Sequence, residues 1–119
     1  AKGRIAQAQA ELDARHFEQQ LQQERIELEV RNILLELTYA RELQQLALLD
    51  ARQSDTMRDA ELKRFESGAS DFFLVNVREE RAANARIALL QAELTTRIAR
   101  ANFDASVVDF QRLGLPLPE

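Results

Sequence analysis

The side chains able to do chemistry are few and scattered. His16 is the only histidine, and the chain has no cysteine. A transition-metal site needs several nitrogen, sulfur or carboxylate ligands converging on one point. A lone imidazole on a helical stretch reads instead as a half-exposed surface residue. Arg78-Glu79-Glu80-Arg81 forms a charge cluster, but no loop-forming sequence surrounds it to build a pocket, so it reads as ion pairing on a helix surface. There is no glycine-rich phosphate loop, no nucleophile elbow and no zinc-ligand spacing. A two-helix rod has no concave site in which to shift a pKa or exclude water. The residues predict no enzyme, no cofactor and no metal.

The informative stretch is residues 64–74, Arg-Phe-Glu-Ser-Gly-Ala-Ser-Asp-Phe-Phe-Leu, which holds Gly68, the only glycine between Gly3 and Gly114. Gly68 can take the left-handed conformation that ends a helix without the steric cost a side chain would bring. Ser70 or Asp71 can accept a hydrogen bond from the free N–H groups that open the next helix. Lys63 and Arg64 fall in the last turn of the preceding helix and Asp71 in the first turn of the following one, where each dipole end favours that sign. The stretch is the expected tip of an antiparallel hairpin. The apolar run Phe72-Phe73-Leu74-Val75 just beyond it has two readings, packing within the tip or docking of another protein.

The elements around this tip follow from composition. The 119 residues are 45% hydrophobic and 30% charged with net charge −4, a make-up rich in Ala, Leu, Glu, Gln and Arg that suits long helices. Proline occurs only at 116 and 118, so the interior has one breaker, too few for a compact multi-element domain. The acidic balance argues against nucleic acid as a partner. No apolar run is long enough to span a bilayer as a helix. The opening Ala1-Lys2-Gly3, without an initiator methionine, reads as a piece of a longer chain or a processed protein.

The expected architecture is all-α: a long antiparallel two-helix coiled-coil hairpin with unequal arms. The first helix should cover about residues 4–66, roughly 90–95 Å at the helical rise, the tip 67–70, the second helix about 71–112, and a tail 113–119 with a Gly114 stop followed by Pro116. In the first helix, Ile26 through Leu49 is apolar over more than one stripe, beyond what a hairpin seam requires. Farther on the stripe thins to Ala47, Ala51, Ser54, Met57 and Ala60/Leu62, beside a charged face of Asp50, Arg52, Asp55, Arg58 and Asp59. In the second helix Ala83, Ile87, Leu90, Leu94, Ile98, Ala101, Ala105 and Val108 form a regular seam, and Ala85, Ala92 and Ala99 lie on a second flank with Leu89, Phe103 and Phe110. Ile5, Leu12, Phe17 and Leu21 on the longer arm lack a partner in the chain. Two apolar flanks per helix predict neighbours beyond this hairpin.

The order and spacing of these features resemble a known family. A long helix opens on Gly3-Arg4-Ile5-Ala6-Gln7-Ala8-Gln9-Ala10. It continues through Glu29-Val30-Arg31-Asn32 into an apolar run and reaches Arg64-Phe65-x-x-Gly68. A polar residue three positions on begins an Ala-rich return helix that ends at Leu113-Gly114. This is similar to the second structural repeat of TolC-like outer membrane efflux proteins. The resemblance implies a fragment of a periplasmic α-barrel in a homotrimeric channel of a tripartite efflux or type I secretion system. The parent would be embedded in the cell outer membrane, this segment would not, and the partners would be a periplasmic adaptor protein and an inner membrane pump. The adaptor-facing tip would comprise Arg64, Phe65, Gly68, Ala69, Ser70, Asp71, Phe72 and Phe73. Where family members carry acidic residues one and two turns into the return helix, this chain has Leu74 and Val77, which leaves Asn76, Arg78 and Glu79 as candidate aperture contacts. Two other readings compete: the coiled-coil hairpin of an adaptor protein, whose arms would be of matched length, and a generic structural coiled coil.

Overall fold

The computed structural model describes residues 2–114. It is all-α and contains two helices, α1 (Lys2–Glu66) and α2 (Phe72–Arg112), as a helical hairpin with arms of 65 and 41 residues. Helix α1 begins earlier than expected and runs through Gly3, and Asp71 lies just before α2 rather than in its first turn. Leu113 and Gly114 form the closing turn, with Gly114 at φ 70° and its N–H donating to the Gln111 carbonyl. The expected Pro116 stop and the rest of the tail lie outside the described residues.

The chain divides into two compact units, one of Leu35–Asn102 and one drawn from Ala1–Leu34 and Phe103–Glu119. In the Leu35–Asn102 unit the two helices meet along a strict alternation of three- and four-residue steps. On α1 the meeting positions are Leu37, Ala40, Gln44, Ala47, Ala51, Ser54, Arg58 and Glu61. On α2 they are Val75, Arg78, Ala82, Ala85, Leu89, Ala92, Thr96 and Ala99, and every one of these side chains is buried or half-buried. That period is the one that keeps a two-helix seam facing its partner. Seven of these sixteen positions are alanine, which lets the two backbones approach closely. Thr96 Oγ1 reaches across to the Ala40 carbonyl at 3.1 Å.

This packing corrects the expected seam of α2. Ile87, Leu90, Leu94 and Ile98 are more than half exposed, and Ala83 and Ala101 are exposed as well. The smaller flank, Ala85, Ala92 and Ala99 beside Leu89, forms the contact instead. On α1 the seam leaves Met57 and Ala60 outside and passes through Arg58 and Glu61.

In the other unit the same three-four spacing places Ile26, Val30 and Ile33 of α1 and Phe103, Ser106 and Phe110 of α2 in the buried or half-buried set. Phe110 is the largest fully buried side chain. Burying an aromatic of that size stabilises by about 1.5–3 kcal/mol. Ala105 and Val108, assigned to the seam from the sequence, are exposed here. Residues 2–25 are exposed throughout, including Ile5 and Phe17, as expected for an arm without a partner in this chain.

Candidate functional site at the hairpin tip

The tip is built by complementary caps. Gly68 sits at φ 81°. Its N–H donates to the Phe65 carbonyl at 3.0 Å, and the Ala69 N–H donates to the Arg64 carbonyl at 2.8 Å. These two bonds close a Schellman motif, which satisfies carbonyls that the end of α1 leaves free. A non-glycine residue at that φ would carry steric strain, although a Cβ there would touch nothing. Of the two candidate caps, Asp71 serves: its Oδ1 accepts from the Leu74 N–H at 2.8 Å. The Ser70 hydroxyl is buried without a hydrogen-bond partner.

Between the caps lies a charged clamp that the sequence reading did not isolate. Glu61 is 4% exposed. Arg78 Nε of α2 approaches its Oε1 at 3.7 Å, and Arg64 Nη1, one turn on along α1, approaches its Oε2 at 3.5 Å. Oε2 accepts no hydrogen bond, so the clamp is electrostatic contact more than directed bonding. Arg64 also donates to the Ala69 carbonyl at 3.3 Å, which ties the clamp to the turn. A carboxylate on a coiled-coil seam is costly to bury alone, and these two guanidinium groups offset that cost. The only sequence signal was periodicity: Glu61 falls on the three-four repeat that runs through Ala47, Ala51 and Ser54.

The predicted site residues separate into different roles. Arg64, Gly68, Ala69 and Asp71 build the turn. Phe65 and Phe72 pair across it, with centroids 6.3 Å apart and ring planes tilted by 56°, a favourable aromatic geometry. Phe73 packs least, at 72% exposure, and Leu74 and Val77 are partly exposed. Only Val75 of the apolar run points fully inward. Within the run Phe72 pairs with Phe65 and Val75 is buried, while Phe73 between them stands free. Asn76 and Glu79 are exposed. Arg78 is committed to Glu61 and, through Nη1, to the Met57 sulfur at 4.0 Å.

The Arg78–Arg81 cluster pairs across the hairpin rather than along its own helix. Arg81 meets Asp50 at 3.6 Å, while Arg86 meets Asp55 at 3.2 Å. The charged face of α1 also pairs locally, Arg58 with both Asp55 and Asp59. These partners are half-buried to exposed, and such solvent-reached pairs contribute only up to about 1 kcal/mol each. Among the described residues there is no group of metal ligands and no helix long and apolar enough to cross a membrane. No family model, curated protein or solved structure matches the chain.

Proposed function

We propose that this chain is a wall element of an export duct: the periplasmic α-barrel segment of an outer membrane channel, as in tripartite efflux or type I secretion. In this reading it catalyses no reaction. It works within a homotrimeric parent, and its tip meets a periplasmic adaptor protein that links it to an inner membrane pump.

One observation carries the reading. In the Leu35–Asn102 unit each helix has a second apolar stripe, on the side turned away from the shared seam. On α2 it is Ile87, Leu90, Leu94 and Ile98; on α1 it is Leu35, Tyr39, Leu46 and Leu49, all more than half exposed. A hairpin working alone in water gains nothing from such stripes, whereas a stave in a wall of helices needs them, since each helix has a neighbour on either side. The unequal arms favour this over an adaptor hairpin. Phe73, beside the Phe65–Phe72 pair, is the natural contact for an adaptor.

The test uses the full protein in its native host, tagged and carrying a photo-crosslinking residue in place of Phe73. The reading expects recovery in the outer membrane fraction and a light-dependent adduct with a periplasmic protein. Recovery in the cytosol overturns it.

A further inference from the structure

Met57 is the only methionine of the chain, which also has no cysteine. It lies one turn before Glu61 on α1, outside the seam, and is 43% exposed. A thioether so placed is open to a peroxide, and its oxidation disrupts no packed core. Its neighbour sets it apart. Arg78 reaches across from α2, approaches Glu61 Oε1 through Nε at 3.7 Å, and turns a different nitrogen, Nη1, to the Met57 sulfur at 4.0 Å. Thioether sulfur is a weak acceptor. A cationic donor is therefore aimed at an atom that makes little use of it.

We propose that Met57 is a reversible oxidation site and that Arg78 receives the sulfoxide oxygen, so that a peroxide tightens the tip clamp instead of loosening it. With hydrogen peroxide the sulfur lone pair forms the S–O bond to one peroxide oxygen. The O–O bond breaks, and the other oxygen leaves as water with both protons. Sulfur loses two electrons and the peroxide gains them. Methionine sulfoxide reductases reverse the change.

The distances fit this role. The 4.0 Å from sulfur to Nη1 exceeds an ordinary N–H···O distance of about 2.9 Å. The excess admits one oxygen, bonded to sulfur, in a bent line to the donor. A hydrogen bond from an ionised donor is about twice as strong as a neutral one. Because Nε and Nη1 are separate donors, Glu61 keeps its contact while Nη1 takes the sulfoxide. Arg78 then bridges two side chains one turn apart on α1. A sulfoxide that drew Arg78 away from Glu61 would instead strand a buried carboxylate and weaken the hairpin. The site belongs to a single hairpin and does not depend on the wall reading.

The experiment uses the 119-residue chain, oxidised with dilute hydrogen peroxide until mass mapping finds one added oxygen, on Met57. Circular dichroism melts at one fixed, dilute concentration compare oxidised with reduced chain, in the parent sequence and in Arg78→Ala. Oxidation should raise the parent's Tm by about 4 °C and should not raise that of Arg78→Ala. A fall or no shift in the parent, or an equal rise in both, overturns the proposal. Met57→Leu given the same peroxide should not shift; a shift there moves the effect to another residue and overturns it too. A second comparison needs no oxidant. Met57→Gln sets an amide oxygen near the place of the sulfoxide and should melt above Met57→Leu only while Arg78 is present. A Met57→Gln chain that melts no higher than Met57→Leu removes Arg78 as the receiving group.

Discussion

Replacing Arg78 with Ala removes the guanidinium that reaches Glu61 across the seam. The Glu61 side chain is 5% exposed, whereas Arg78 is 33% exposed and Arg64, the other contact, 60% exposed. Stripping one partner from a fully buried pair costs about 3–5 kcal/mol. Here Arg64 remains and both arginines reach water, so the expected loss is about 2 kcal/mol, below that range. For a chain of this length that lowers Tm by roughly 8 °C. The assay is thermal and urea unfolding followed by circular dichroism at one fixed protein concentration, since association also stabilises the fold. A double variant, Glu61→Met with Arg78→Met, should recover most of the loss, because an apolar pair of similar volume removes the stranded charge. An unchanged Tm in Arg78→Ala, or a double variant as weak as the single one, refutes the clamp.

Other parts of the tip give separate expectations. Gly68→Val should destabilise by about 1–2 kcal/mol through strain at positive φ, read from the same melts. Asp71→Ala should cost about 1 kcal/mol through loss of the cap on α2, while Ser70→Ala should be neutral or slightly stabilising, because its buried hydroxyl bonds nothing. Ala85→Leu should overpack the close seam and cost about 1–3 kcal/mol, whereas Leu90→Ala, on the exposed stripe, should leave the melt of dilute chain within about 0.5 kcal/mol and reduce sedimentation of concentrated chain.

Much of the hairpin was legible because its signals are local. A lone interior glycine, basic residues before it and an Asx residue after it fix a bend, and long breaker-free runs fix the helices. The choice of seam was not legible in the same way. Bulky Ile87, Leu90, Leu94 and Ile98 outrank Ala82, Ala85, Ala92 and Ala99 in hydrophobicity, so the larger stripe reads as the core. The tip decides otherwise. Val75 and Arg78, set by the short turn, begin the repeat that continues through the alanines, and small side chains permit the close approach. Glu61 stayed hidden for a related reason: a carboxylate reads as surface until a partner on the other helix is known, and Arg78 lies seventeen residues on. The exposed arm of residues 2–25, by contrast, followed directly from the mismatch in helix lengths.

The central claim is that the outer faces of both helices are contact surfaces. Sedimentation velocity of the unmodified chain over a broad concentration range measures this most directly. The account predicts species heavier than one chain that grow with concentration, with helical content retained. A chain that remains monomeric at the highest concentration reached contradicts it.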